Sequence, residues 1–232
     1  MCINVNIIAQ QLAAVRARIA QAELRFSRVP GSVTLLAVSK TFPTDAIRSA
    51  YHTGQICFGE SYAQEALTKM SATNDLPLQW HFIGPIQSNK TRDLATHFPW
   101  VQSVERDKIA RRLNEQRPAT LPPLNVCIQV NISGEASKSG AAPADVAVLA
   151  QVIRGLPQLH LRGLMAIPAP QVDFEKQRAG FRVLRELYEQ LQGLGYPLDT
   201  LSMGMTDDLE AAIAEGATLV RVGTAIFGER VD

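Results

Sequence analysis

The chain has 232 residues and a formal net charge of +1, with 46% hydrophobic and 19% charged residues. This composition is typical of a globular protein and argues against a disordered chain, and the near-zero net charge argues against a protein that binds nucleic acid or a membrane surface through bulk positive charge. The odd number of cysteines and the lack of Cys-x-x-Cys spacing predict reduced thiols, and therefore a cytoplasmic protein, for Cys2, Cys57 and Cys127.

A helix over residues Val5–Arg25 is predicted first, and its charges at Arg16, Arg18 and Glu23 exclude a signal peptide or a transmembrane segment. Short apolar runs then alternate with longer amphipathic ones, which indicates repeated β-α units. The predicted strands are Val33–Ser39, Gln55–Gly59, Trp80–Ile83, Trp100–Val104, Leu124–Asn131, Leu159–Met165, Leu198–Ser202 and Thr218–Val222. The predicted helices between them are Thr44–Tyr51, Tyr62–Met70, Ser88–Thr96, Asp107–Gln116, Ala144–Arg154, Phe174–Gln192 and Asp207–Glu215, the last with Thr206 as its N-cap.

Eight strands in regular alternation with helices predict an α/β fold, a single (β/α)8 TIM-type barrel with an additional N-terminal helix. An open, doubly wound sheet is the alternative, and it would lack a closed interior. No linker, low-complexity tract or change of composition divides the chain, so residues 1–232 are predicted to form a single domain. We expect a monomer.

Strand periodicity predicts which side chains point into the barrel. In the last strand Val220 and Val222 share an apolar face that should pack on the helices, which places Arg221 inside, near the carboxyl end, where it needs an acceptor or anionic partner. The same periodicity in the first strand puts Leu36, Val38 and Lys40 on one face. A lysine at a strand end is commonly a solvated side chain, so Lys40 alone does not indicate a site. Several polar residues converge at the carboxyl ends of the strands, where barrel active sites are built, and this convergence predicts a site there.

The loops after the seventh and eighth strands suit a phosphate group. Ser202 and Gly204 lie in the first of these loops, and Gly223 and Thr224 lie in the second. Hydroxyl donors and glycine-flanked backbone N–H groups at helix starts bind phosphate dianions, and many barrels hold a phosphate in these two loops. The alternative is that both glycines only form turns.

Five segments resemble the pyridoxal phosphate homeostasis protein family, which shares its barrel with the N-terminal domain of alanine racemase and other fold-type III enzymes of pyridoxal 5′-phosphate (PLP). They run in the expected order from the first strand to the C-terminus. The segments are Ala37-Val-Ser-Lys-Thr-Phe-Pro43, Phe58-Gly-Glu-Ser-Tyr-Ala-Gln-Glu65, Trp80-His-Phe-Ile-Gly84 with Gln87-Ser-Asn-Lys90, Leu201-Ser-Met-Gly-Met205 and Val220-Arg-Val-Gly-Thr-Ala-Ile-Phe-Gly228.

The resemblance implies that Lys40 forms the internal aldimine with PLP. It also implies that Ser202, Gly223 and Thr224 hold the phosphate and that Arg221 faces the pyridine nitrogen. An arginine there disfavours protonation of the ring nitrogen and makes PLP a weaker electron sink.

The chain departs from the family in the turn after the second strand. The family commonly has Asn where this chain has Ser61. The shorter serine is expected to leave the contact with the PLP ring to water, and Ser61 is still a candidate site residue. His81, Asn89 and Lys90 belong to a matching motif, for which a functional role and a stabilising role at the barrel mouth are both open. Lys138 is a candidate rim cation or a solvated loop residue.

The resemblance implies a protein that buffers or delivers PLP, with PLP-dependent apo-enzymes as recipients, and not an enzyme. Two alternatives remain open: a PLP-dependent amino-acid racemase or decarboxylase, and an aldolase in which Lys40 attacks a phosphorylated sugar. Fold-type III racemases carry a catalytic tyrosine on a further C-terminal domain, and this sequence stops at Asp232, shortly after the last predicted strand. No metal site is predicted.

Overall fold

The computed structural model describes residues 5–134 and 139–229. Its eight strands pair in parallel and in sequence order, and the first closes on the last, so the predicted barrel is confirmed. The strands are β1 (Thr34–Val38), β2 (Cys57–Glu60), β3 (Gln79–Phe82), β4 (Trp100–Val104), β5 (Leu124–Gln129), β6 (Leu159–Met165), β7 (Thr200–Ser202) and β8 (Leu219–Val222).

The helices surround the barrel in the predicted alternation, with small differences at their ends. They are α1 (Val5–Arg25), α2 (Thr44–His52), α3 (Ala63–Ala72), α4 (Thr91–His97), α5 (Asp107–Gln116), α6 (Val146–Arg154), α7 (Phe174–Gly193), α8 (Leu209–Ala214) and α9 (Thr224–Phe227). The additional helix α1 packs against α2, α8 and α9. The short helix α9 was not predicted, and single 3-10 turns precede α4 and α6.

The main core lies between the strands and the helices. It contains Val220 and Val222, so the apolar face of β8 packs outward as predicted. The barrel interior holds two smaller apolar clusters, one of which includes Leu36 and Val38. The other interior positions include buried polar residues, among them Arg221. Of the helices in the described part of the chain, none combines the length and the apolar character that crossing a membrane requires.

Gly163 of β6 pairs with Thr200 of the neighbouring strand β7. A Cβ atom at this position would lie 1.7 Å from the backbone oxygen of Thr200. We expect Gly163→Ala to lower the free energy of unfolding by about 3 kcal/mol or more, because only backbone movement can relieve the clash. Urea unfolding measures the change.

Gly180→Ala in α7 is the matched control, because a Cβ atom there meets no atom of residues 5–134 or 139–229 within 4 Å. A helical glycine costs about 0.5–1 kcal/mol relative to alanine, so this variant should be as stable as the parent or more stable. Equal stabilities for the two variants would contradict the described strand contact.

Candidate functional site

A cavity of about 220 Å³ opens at the carboxyl ends of the strands. Lys40, Ser61, Arg221, Gly223 and Thr224, which the sequence predicted as one site, all line it. The rest of the wall is formed by four apolar residues, by the loop after β7 and by Gly228 after α9. The apolar residues are Val38, Phe42, Ile83 and Ile167, and the loop contributes Met205, Thr206 and Asp207. The structure therefore brings five of the seven predicted residues together, and Ser202 and Gly204 lie elsewhere.

Lys40 lies in a tight turn directly after β1. The N–H of Phe42 donates to the carbonyl of Ser39 at 3.0 Å, which closes the turn. Thr41 has a φ of +69°, a left-handed conformation that is rare for a β-branched residue. Phe42 is anchored against Phe227 of α9, with ring centroids 5.2 Å apart. This turn holds the half-buried Lys40 at the edge of the cavity.

Arg221 lies inside the barrel, as predicted, and is 3% exposed. Its Nη1 donates to Oγ of Ser202 at 2.7 Å, and its Nη2 donates to the carbonyl of Ala166 at 2.8 Å. Burial lowers the pKa of Arg221 to about 10, while the charge of Asp208 opposes that shift. The guanidinium is therefore positive at neutral pH and is fixed in position.

Ser202 is fully buried and supports Arg221 from within the barrel. Its Oγ accepts from Arg221, so its single proton goes to Oε1 of Gln102, 2.6 Å away. The amide of Gln102 in turn contacts Nδ1 of His81 at 2.9 Å. The hydroxyl of Ser202 is thus engaged in a chain of interior polar groups, and its placement does not suit the predicted contact with a phosphate.

The packing of the loop after β7 explains why residue 204 is a glycine. Its φ is +94°, and a Cβ atom there would lie 2.5 Å from Cβ of Ala212 in α8. Its carbonyl accepts from the N–H of Arg221 at 2.9 Å. The glycine therefore lets α8 pack closely on the loop, in agreement with the turn alternative, and it does not line the cavity.

Thr206 lines the cavity and is not the N-cap of α8, so that prediction was wrong. The helix begins at Leu209, and the residue before it, Asp208, accepts from the N–H of Met205 at 2.6 Å. The side chain of Asp208 thereby fixes the loop that carries Thr206. Sequence reasoning missed Thr206 as a site residue because a hydroxyl residue just before an apolar helical run is also the signal for an N-cap.

The two residues after β8 differ in burial. A Cβ atom at Gly223 would lie 3.1 Å from the carbonyl oxygen of Val38, so a larger residue would push β8 away from the lysine-bearing strand. Gly223 is half-buried, whereas Thr224 is exposed at the start of α9, and both line the cavity.

Ser61 lines the cavity from the turn after β2. Its backbone lies against Gly84, where a Cβ atom would come within 2.1 Å of the carbonyl oxygen of Ser61.

The expected role of His81 at the barrel mouth was wrong. His81 is buried and stacks on Trp100 with ring centroids 4.9 Å apart. It lines a second cavity with Thr34, the first residue of β1, and with Asp199 and Thr218, which directly precede β7 and β8. Lys138 lies outside the described residues. Within the described ranges, no three His, Cys, Asp or Glu side chains are grouped so that they could hold a metal ion.

His81 makes stability depend on pH. Burial lowers its pKa to about 3, against 6.5 for an ordinary histidine, so below pH 6.5 the unfolded chain takes up a proton that the folded chain does not. Stability is therefore full above pH 6.5 and falls as the pH decreases towards 3. Between pH 7 and pH 5 we expect this residue to contribute a loss of about 2 kcal/mol, measured by urea unfolding.

The contribution of His81 is isolated by comparing the parent with His81→Gln. Between pH 7 and pH 5 the free energy of unfolding of the variant should fall by about 2 kcal/mol less than that of the parent. His97→Gln is the control, because His97 is exposed on α4. A parent and a His81→Gln variant with parallel pH profiles would show that His81 does not remain neutral in the fold.

The family described as "Alanine racemase, N-terminal domain" matches residues 10–231. The chain is 62% identical over 223 residues to the pyridoxal phosphate homeostasis protein of Pseudomonas aeruginosa, which covers 96% of both chains. It is 54% identical over 231 residues to the protein of the same name from Escherichia coli, with 97% of both chains covered.

Solved structures give the same result. PipY of Synechococcus elongatus, solved with PLP bound, is 39% identical and has a TM-score of 0.83 over 95% of this chain and 100% of its own. An alanine racemase of Clostridium difficile superimposes with a TM-score of 0.78 at 14% identity, over 99% of this chain and 58% of its own, which shows a shared barrel. The chain therefore belongs to the pyridoxal phosphate homeostasis protein family, within the family of the alanine racemase N-terminal domain.

Proposed function

We propose that this chain binds PLP covalently through Lys40 and buffers or delivers the cofactor, without being an enzyme. The single observation that carries the proposal is the cavity in which Lys40, a buried Arg221 and the loops after β7 and β8 meet. The names of the close relatives and the PLP bound in PipY support it. When bound, PLP supplies an aldehyde that a primary amine can attack and a ring that withdraws electrons.

The residues present fit such a ligand. Lys40 is the lysine on the cavity wall, and its Nζ must be unprotonated to attack the aldehyde carbon. Val38, Ile83 and Ile167 offer apolar surface to an aromatic ring. Arg221 is fixed and positively charged inside the barrel, and we assign it to the ring nitrogen, which it would keep unprotonated.

We assign the phosphate to Thr206, Gly223 and Thr224. All three line the cavity, and the two threonines bring hydroxyl donors from two adjacent loops. Thr206 replaces Ser202 in this assignment, because the hydroxyl of Ser202 is already bonded to Arg221 and Gln102. Gly204 supports the loop, and Ser61 lines the cavity from the turn after β2 and brings a further hydroxyl.

The delivery role, the recipients and the cell compartment are part of the same proposal. We propose a cytoplasmic monomer that passes PLP to PLP-dependent apo-enzymes, with no nucleic-acid or membrane partner. A cavity with the exposed Thr224 and Asp207 on its wall suits release of a ligand into solvent.

The test is reduction of PLP-loaded protein with borohydride, followed by peptide mass spectrometry. The expected result is one pyridoxyl group per chain, attached to Lys40, together with loss of the absorbance of the PLP–lysine bond. A protein that takes up a phosphorylated sugar at Lys40, and shows no such absorbance with PLP, would support the aldolase alternative and overturn the proposal.

The racemase and decarboxylase alternative makes a separate prediction. Racemisation needs a proton donor or acceptor on each face of the substrate's α-carbon, and Lys40 serves one face. Among the described residues of the cavity wall, the other titratable groups are the exposed Asp207 and the engaged Arg221, and Tyr62 is not one of them. We therefore expect no efficient exchange of the α-proton.

Incubating PLP-loaded protein with L-alanine and other amino acids in deuterated water checks this expectation, with an established alanine racemase as the positive control. We expect exchange and inversion far below the roughly 1 s⁻¹ that marks an enzyme. Turnover at or above that rate, or release of CO₂, would replace the buffering proposal with the enzymatic one.

A further inference from the structure

A buried charged cluster lies next to the turn that carries Lys40. We call it the clamp, and it consists of Glu60 at the end of β2 with Glu65 and Lys69 on α3. Lys69 is 5% exposed and Glu60 is fully buried. The Nζ of Lys69 donates to Oε1 of Glu60 at 2.7 Å and to Oε1 of Glu65 at 2.5 Å.

The clamp reaches both neighbours of Lys40. The third donor of Lys69 goes to the carbonyl of Ser39 at 2.7 Å, and the hydroxyl of Ser39 donates to Glu60 at 2.6 Å. On the other side, Oε1 of Glu65 accepts from the N–H of Thr41 at 2.6 Å. The ammonium group of Lys69 therefore fixes the backbone immediately before Lys40, and Glu65, which is paired with that ammonium group, fixes the backbone immediately after it.

The conformation that the clamp holds is a strained one. Thr41 has a φ of +69°, a region that β-branched residues rarely occupy, and such strain persists only where surrounding contacts impose it. The N–H of Thr41 is bonded to Glu65, so the carboxylate contributes directly to this geometry. Strained residues cluster at sites whose geometry matters for function, and this one adjoins the lysine of the cavity.

Stability alone is a poor reason for the clamp. Burial raises the pKa of Glu60, and the attraction of Lys69 opposes that shift. Oε2 of Glu60 is buried and has no hydrogen-bond partner among the residues that the structure describes. Replacing a buried ion pair by apolar residues is often neutral or stabilising, so such pairs contribute little net stability. A positional role explains why the charges are directed at two backbone groups on either side of one residue.

We propose that Glu65 and Lys69 are positioning residues that fix the backbone of residues 39–41 so that Nζ of Lys40 meets the PLP aldehyde. The inference rests on the proposed function, since it concerns the same site. Neither residue lines the cavity, so each acts through the turn and not by contact with the ligand.

The experiment compares Glu65→Ala and Lys69→Met with the parent. The first readout is the rate of covalent attachment to Lys40 after ligand-free protein is mixed with PLP, followed by borohydride quenching and peptide mass spectrometry. We expect both variants to react at least about tenfold more slowly, since small misplacements of reacting groups have effects of this order or larger. The second readout needs no ligand: the amide of Thr41 should exchange its hydrogen faster in Glu65→Ala.

Two further variants separate the effect of the clamp on the position of Lys40 from its effect on the stability of the fold. Glu215→Gln removes a fully buried carboxylate that pairs with Arg178, Arg182 and Arg185, none of which lines the cavity. It should lower the thermal midpoint and leave the attachment rate unchanged. Thr41→Asn in the Glu65→Ala background should restore part of the rate, because asparagine accepts a positive φ more readily than threonine.

The outcomes are distinguishable. A parent protein that is never labelled at Lys40 would defeat the proposed function itself. A parent that is labelled normally, with Glu65→Ala and Lys69→Met labelled at the same rate, would overturn the clamp and leave the proposed function intact. Should Lys69→Met fail to fold, Glu65→Ala decides, because Glu65 is only half-buried at the start of α3.

Discussion

Lys40→Ala is expected to abolish covalent attachment of PLP and to leave the barrel folded. The reason is that Lys40 is the lysine on the cavity wall, and alanine has no amine to attack the aldehyde. The side chain is half-buried and its truncation leaves no core cavity, so the free energy of unfolding should change by less than about 0.5 kcal/mol. Borohydride labelling and urea unfolding measure the two quantities.

The matched control is Lys108→Ala, which removes an exposed lysine from α5 and should be labelled like the parent. PLP should still bind Lys40→Ala noncovalently, through the loops after β7 and β8. If the variant carried one pyridoxyl group per chain on a different lysine, Lys40 would not be the attachment site.

The barrel could be predicted from the sequence because its signals are local. Strand parity alone identified Val220 and Val222 as the outward face of β8 and Arg221 as an interior residue. The additional helix, predicted over roughly Val5 to Arg25, is also present. Parity does not give the depth of a side chain inside the barrel, since depth depends on the tilt and stagger of all eight strands. Ser202 therefore points inward as its strand requires, yet lies too deep to line the cavity.

Other parts of the site depend on contacts between distant segments. The spacing of Glu65 and Lys69, four residues apart on a helix, is visible in the sequence and is normally an exposed pair of little consequence. Only the folded structure shows that Lys69 also reaches the carbonyl of Ser39, which lies in the turn after β1. Gln102 could not be found either, because its partners, Ser202 and His81, come from two other strands.

Removing the two hydroxyl donors in Thr206→Val with Thr224→Val is expected to weaken PLP binding by a factor of about 100 or more. Each hydrogen bond to a charged group contributes about 1.5–3 kcal/mol, and 1.4 kcal/mol corresponds to a factor of ten in the dissociation constant. Pyridoxal, which lacks the phosphate dianion, should lose much less. Both dissociation constants are measured in the Lys40→Ala background, so that only noncovalent contacts contribute.

Ser202→Ala is the informative contrast, because it tests the two assignments of the phosphate against each other. The hydroxyl of Ser202 accepts from Arg221, which lies on the cavity wall, so its removal should loosen that side chain and weaken PLP and pyridoxal by similar factors. The threonine pair should instead discriminate between the two ligands. The opposite result would be that Ser202→Ala weakens PLP more than pyridoxal, while the threonine variant weakens both ligands equally. That result would assign the phosphate to Ser202 and would mean that the loop after β7 rearranges when PLP binds.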